Sequence, residues 1–82
     1  MKYNEAQFLL FMARAAHWTA IVHSGAYKLL QPQVGCGRNA DGSLEFRPKT
    51  EDEKLSDAIA TVERHLRIAA EFAEHLPVQD RG

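Results

Sequence analysis

Apolar residues in the second half of the chain recur at alternating steps of four and three. The series is Leu55, Ile59, Val62, Leu66, Ala69, Ala73 and Leu76. This spacing is typical of a coiled-coil-type seam, a stripe through which one helix packs on another. A capping box of Thr50 and Glu53 precedes the series and Pro77 follows it. We therefore predict a helix over residues 51–76 and a frayed tail over residues 77–82.

The first half of the chain predicts another long helix with a matching seam. Its seam residues are Phe8, Phe11, Ala15, Trp18, Val22, Ala26 and Leu29. Asn4 is a suitable N-cap, and the residue before Pro32 is pushed out of the helical region, so the helix is expected over residues 4–30. Gly25 inside it costs about 1 kcal/mol relative to alanine, which predicts a kink or a close backbone contact. Together the two helices predict a mainly α, single-domain antiparallel helical hairpin.

The connection over residues 31–49 is long enough to need structure of its own. Its Asp-Gly pair and the alternation that follows predict a β-hairpin of residues 34–38 with residues 43–47. Pairing around that turn gives three opposed pairs: Val34 with Arg47, Cys36 with Glu45, and Arg38 with Ser43. Leu44 and Phe46 on one face of the hairpin, or their opposite neighbours, are then expected to cap the helices.

The first helix carries a second apolar stripe nearly opposite its seam. The stripe consists of Leu9, Ala13, Ala16, Ala20 and Tyr27. One partner helix cannot cover both faces, and the pattern predicts no third helix. We therefore predict that this stripe is a self-association surface in a helical-bundle homo-oligomer. The alternative is that residues 31–49 cover it in a monomer.

Charge is divided unevenly along the chain. Residues 1–49 carry six basic and three acidic groups, net +3, and residues 50–76 carry three basic and seven acidic groups, net −4. Opposite signs favour the two halves lying side by side. The overall charge of −1 argues against nucleic acid as the main partner. Charged and histidine residues in the first helix argue against a membrane span, and we expect a cytoplasmic protein.

Candidate chemistry is sparse. Cys36 has no second thiol and no histidine base close in sequence, and the four histidines lack metal-site spacing. We therefore predict no catalytic residue, no metal and no other cofactor. One group of residues could bind an anion near the start of the second helix: Arg38, Arg47, Lys49, Lys28 and Tyr27. Acidic residues at the same helix end would repel that anion.

These patterns favour a small non-catalytic binding protein, an adaptor or inhibitor of a protein partner that acts as a homo-oligomer. Short chains of this kind are common among phage and mobile-element proteins, and by analogy alone we expect such an origin. The alternative is a binder of a small phosphorylated or nucleotide-like ligand, held at the basic residues between protomers. An enzyme would have to depend on Cys36 or the histidines alone.

Overall fold

The computed structural model describes residues 2–76, which form a helical hairpin with a small sheet between its helices. The elements are α1 (Tyr3–Ser24), a 3-10 helix (Ala26–Leu29), β1 (Gln33–Arg38), β2 (Leu44–Pro48) and α2 (Glu51–Ala73). The two strands make one antiparallel sheet. The predicted class, two helices joined by a short β-hairpin, is confirmed; the frayed tail predicted over residues 77–82 lies outside the described residues.

The start of α1 differs from the predicted one. Lys2 is the N-cap residue, with an extended backbone and no side-chain hydrogen bond, so Asn4 lies inside the first turn and does not cap the helix. Tyr3 packs edge-on against Phe72 of α2, with ring centroids 6.0 Å apart. An aromatic contact across the hairpin thus anchors this end of α1.

The end of α1 is determined by Gly25. This glycine is in the left-handed region, with φ 78°, and its N–H donates to the carbonyl oxygen of Val22 at 3.2 Å. A left-handed glycine is a common helix terminator. The helix therefore ends at Ser24 and does not run to Leu30, and the chain continues as a 3-10 helix. Leu29, assigned to the seam in the sequence, is 82% exposed as a result.

The start of α2 agrees with the predicted capping box. The Thr50 hydroxyl accepts the Glu53 N–H at 3.2 Å, and the Glu53 carboxylate accepts the Thr50 N–H at 2.9 Å. These two bonds satisfy amides that the first turn of a helix leaves without internal partners.

The core is one layer between the two helices. Ala15 of α1 and Ala58 and Ala69 of α2 are at most 2% exposed. The ring of Phe11 lies 5.6 Å from that of His65 and 6.1 Å from that of Phe72, measured between centroids. Phe11 of α1 therefore packs against rings of α2, whereas Trp18 of α1 lines a cavity together with Ala58 of α2.

The face of α2 that packs against α1 differs from the predicted seam by a rotation about the helix axis. Ile59 and Leu66, expected on the seam, are 42% and 44% exposed, whereas Ala58, one step round the helix, is buried. The inward face of α2 is centred roughly 50° from the seam read in the sequence. The physical reason is that His65 and Phe72 pack against Phe11, while the small Ala58 lies beside the bulky Trp18.

The β-hairpin pairs Val34 with Arg47, as predicted. Nearer the turn the register shifts by one residue, so Gly37 and not Cys36 lies opposite Glu45. Cys36 is the extra residue of a β-bulge, a feature that alternation in the sequence does not reveal. The turn is of the three-residue kind, closed by a left-handed glycine as the Asp-Gly pair suggests.

The strand pair extends away from the helices. The molecule measures 66 × 30 × 17 Å, whereas α1 and α2 are each only about 35 Å long. Leu44 and Phe46 are 53% and 55% exposed, so the prediction that they cap the helices is wrong. Over residues 2–76 the strand backbones do not pack on either helix, although the Arg47 side chain reaches Glu53 of α2. The strands leave the second stripe of α1 uncovered.

Candidate interaction surface

Arg47, a predicted anion ligand, is already paired with a carboxylate. Its guanidinium donates to the two carboxylate oxygens of Glu53 at 2.7 and 3.0 Å. The Arg47 side-chain bond, followed by the Thr50 backbone N–H, lowers the pKa of Glu53 from 4.5 to about 2. The same carboxylate raises the pKa of Arg47. The donors of Arg47 are therefore directed at α2 and away from a free anion.

Two other predicted anion ligands also have partners within the chain. Lys49 forms an ion pair with Asp57. Arg38 donates to the carbonyl oxygen of Gly42 at 2.8 Å, at the turn end of the hairpin. Arg47 lies opposite Val34, four residues from Arg38, so the two arginines are separated by about 13 Å along the strands. A single chain does not bring this pair together.

The two remaining members of that predicted site come from the 3-10 helix. Tyr27 is half-buried and Lys28 is exposed. The Lys28 carbonyl oxygen accepts a hydrogen bond from the Lys54 ammonium at 3.2 Å, which ties the 3-10 helix to α2. The break at Gly25 also removes Tyr27 from the helical register of α1, so Tyr27 does not continue the second stripe.

Cys36 is exposed on the bulge, and its thiol donates to the Glu45 carbonyl oxygen at 3.6 Å. Over the described range, no three histidine, cysteine or acidic side chains are grouped closely enough to hold a metal ion. Within the same range, one buried side-chain nitrogen lacks a partner, Nδ1 of His65 in the core between the helices.

The outer side of α1 is apolar and exposed. Its residues Leu9, Ala13, Ala16 and Ala20 are all exposed, Leu9 by 51%, and are called here the outer stripe. From Ala6 to Ser24 the sequence holds one Lys, Arg, Asp or Glu, which is Arg14. Its guanidinium carbon lies 5.0 Å from the centroid of the Phe11 ring, away from the outer stripe. The outer stripe is thus exposed without any formally charged side chain.

The hairpin of helices has two unlike broad sides. On one side, a groove between α1 and α2 is lined by Thr19, Val22, His23, Ile59, Val62 and Glu63. Helical periodicity places Met12 and Leu66 on this same side, and both are at least 40% exposed. We call this side the apolar face and define it by Met12, Thr19, Ile59 and Leu66.

The opposite side, called here the charged face, bears Arg14 on α1 and Lys54, Asp57 and Arg64 on α2. A cavity of about 150 Å³ opens on it, lined by Trp18, Leu30, Pro32, Lys54, Asp57, Ala58 and Thr61. Ile59 and Leu66 belong to the apolar face. Their spacing in the sequence does not reveal that they are exposed there, because the same spacing suits a seam buried against α1.

Comparison of the chain with protein-family models, with curated proteins and with solved structures finds no match. Neither described helix is both long enough and apolar enough to cross a membrane.

Proposed function

We propose that this protein is a non-catalytic helical binding protein that self-associates and acts as an adaptor or inhibitor of a protein partner. The observation that carries the proposal is the outer stripe of α1, which is exposed, apolar and free of formal charge along about three turns. Interface cores are depleted in charged residues, while a solvated helix face normally carries them. A second copy of the chain is the occupant that would cover this stripe.

The strand pair is the surface that we assign to the protein partner. It projects beyond the helices and exposes Leu44 and Phe46 by more than half. Phe46 lies over Gly35, whose Cβ position would be 4.0 Å from the Phe46 ring. Among residues 2–76 no third strand pairs with either edge of this ribbon. A ribbon with free edges and apolar side chains on one face can bind another chain by strand pairing and side-chain contacts.

Sedimentation equilibrium at micromolar concentrations tests self-association. The wild-type protein should sediment as an oligomer of the 9.2 kDa chain. Ala16→Glu and Ala20→Glu should dissociate it, because each buries a charge in the proposed contact. Ala60→Glu, the same change at an exposed alanine on the outside of α2, should not. A wild-type protein that stays monomeric would refute self-association.

Capture of proteins from a lysate of the native host tests the partner surface. A partner retained by the wild-type protein should be lost when Leu44 and Phe46 are both changed to serine. If the double variant retains the same partner, the strand pair is not the binding surface.

A basic site between protomers stays an alternative prediction. It requires Arg38 of one copy to approach Arg47 or Lys49 of another, since one chain keeps them apart. A phosphorylated ligand that binds only the folded protein must raise its melting temperature. Thermal shift with inorganic phosphate, nucleotides and cyclic nucleotides measures this, and no shift with any of them would exclude the alternative.

A further inference from the structure

We infer that the self-association surface is the whole apolar face of the hairpin, with α2 contributing Ile59 and Leu66 beside the α1 residues. Two copies then pack apolar face on apolar face as a four-helix bundle with two-fold symmetry. The inference depends on the proposed self-association. It extends the contact between copies from the outer stripe of α1 to Ile59 and Leu66 of α2. In the sequence, Ile59 and Leu66 belong to the seam inside one chain.

The first support is that α1 covers only part of the α2 seam. The four-three series of α2 is long enough for continuous helix packing. Yet Ile59 and Leu66, two turns apart, remain 42% and 44% exposed. Because α2 is turned toward its alanines, the branched side chains of the series lie at the edge of the hairpin. There they can meet a helix from another copy.

The second support is the difference between the two broad sides. On the apolar face, the Thr19 hydroxyl donates to the Ala15 carbonyl oxygen of its own helix at 2.7 Å, so that polar group already has a partner. Glu63 and His23 line the same groove, and heptad spacing places Glu5 and Asp52 near the two ends of this face. The charged face carries basic and acidic side chains from both helices. Burial of the charged face would therefore leave more charges without water.

The third support is area. The outer stripe, from Leu9 to Ala20, is about 17 Å long and about 10 Å wide, so two copies would bury roughly 350 Å², in the range of crystal contacts. A face that spans both helices along their whole length is about 35 Å long and about 20 Å wide, and it buries roughly 1,400 Å² in a dimer. That area is in the range of specific, stable interfaces. Participation of α2 is what brings the contact into that range.

A matched pair of leucine variants tests the assignment. Leu66 on the apolar face and Leu10 on the other side of the hairpin are 44% and 40% exposed. Leu66→Arg should raise the dimer dissociation constant at least about 100-fold, and Leu10→Arg should leave it within about threefold. Sedimentation equilibrium gives the constants, and circular dichroism verifies that both variants keep their helical content.

A measurement on the wild-type protein covers the case in which Leu66→Arg unfolds. The chain has three isoleucines, and only Ile59 lies on the apolar face, while Ile21 and Ile68 point toward the other side. On dilution, the Ile59 methyl resonance should move or split as the dimer dissociates, and the Ile21 resonance should not.

The possible results separate the two proposals. A dimer that survives Leu66→Arg, or an Ile59 methyl signal independent of concentration in a protein that does associate, overturns the assignment to α2 and leaves self-association standing. A protein that is monomeric at all concentrations overturns both proposals.

Discussion

Glu53 connects the strand pair to α2 through one carboxylate. It accepts two hydrogen bonds from Arg47 of β2 and one from the N–H of Thr50 at the start of the helix. All three bonds favour the ionised carboxylate, which is why its folded-state pKa falls to about 2. This residue therefore contributes to folding only when it is charged.

The pH dependence of stability follows from that shift. The folded pKa of Glu53 lies below its unfolded value of 4.5, so its contribution is present above pH 4.5 and is lost as pH falls toward 2. Glu53→Gln should reduce the loss of stability over that pH interval. Urea unfolding from pH 6 to pH 2 measures the free energy of unfolding of the wild-type protein and of the variant. Glu51→Gln, in the same turn, is the control, and an equal effect of both changes would contradict the assignment to Glu53.

His65 places an unpartnered ring nitrogen in the core. An unsatisfied buried polar atom costs free energy that an apolar replacement of similar shape recovers. We expect His65→Phe to raise the free energy of unfolding by about 1 kcal/mol, because the ring keeps its contact with Phe11 and loses the unpaired nitrogen. Denaturant unfolding at a fixed protein concentration measures the change. His75→Phe, at an exposed position, should have little effect.

Among the elements, α1 is defined by its glycine end. The left-handed conformation of Gly25 turns the chain from an α-helix into the short 3-10 helix that leads to β1. A side chain would meet no atom within 4 Å there, so the restriction comes from the backbone and not from crowding.

Two glycine-to-alanine changes separate backbone strain from the general effect of losing a glycine. Gly25→Ala should lower the free energy of unfolding by about 1 kcal/mol, because alanine disfavours the left-handed region. Gly35→Ala meets only ordinary contacts at 4.0 Å and should be neutral or slightly stabilising. Chemical denaturation of both variants measures the difference. Equal effects would mean that the conformation of Gly25 is not what constrains it.

Local signals in the sequence predicted the start of α2 and one of the three expected strand pairs, but not the start of α1 or the register near the turn. Thr50 and Glu53 form the expected capping box, and Val34 lies opposite Arg47, because these depend on residues close together in the chain. The rotation of α2 depends instead on which of its side chains fit the rings of α1. The position of Ile59 in the sequence pattern fits both a buried site between the helices and an exposed site at the edge of the hairpin. The separation of Arg38 from Arg47 likewise follows from the hairpin register.

At the scale of the whole molecule, the chain has a thin core and large uncovered apolar surfaces. Its most buried residues are alanines, and no larger side chain among residues 2–76 is fully buried. A single core of this size is marginal for a chain of about 80 residues. Burial of the apolar face between copies would add the missing hydrophobic stabilisation.

Unfolding of such an assembly must depend on protein concentration. For a dimer that dissociates as it unfolds, a tenfold increase in concentration should raise the melting temperature by about 4 °C. Calorimetry between 10 and 1,000 μM, in about threefold steps, measures the slope. Leu66→Arg should have a melting temperature that does not change with concentration, while Leu10→Arg should follow the wild-type protein.

The projecting strand pair has a consequence for affinity. Each copy carries one, so a two-fold assembly is bivalent and displays two strand pairs. For a partner with repeated sites, the second engagement becomes intramolecular and the combined avidity can exceed that of one strand pair by roughly 10²–10⁴. Variants that only separate the helical bundle would then weaken partner capture without altering a residue that touches the partner.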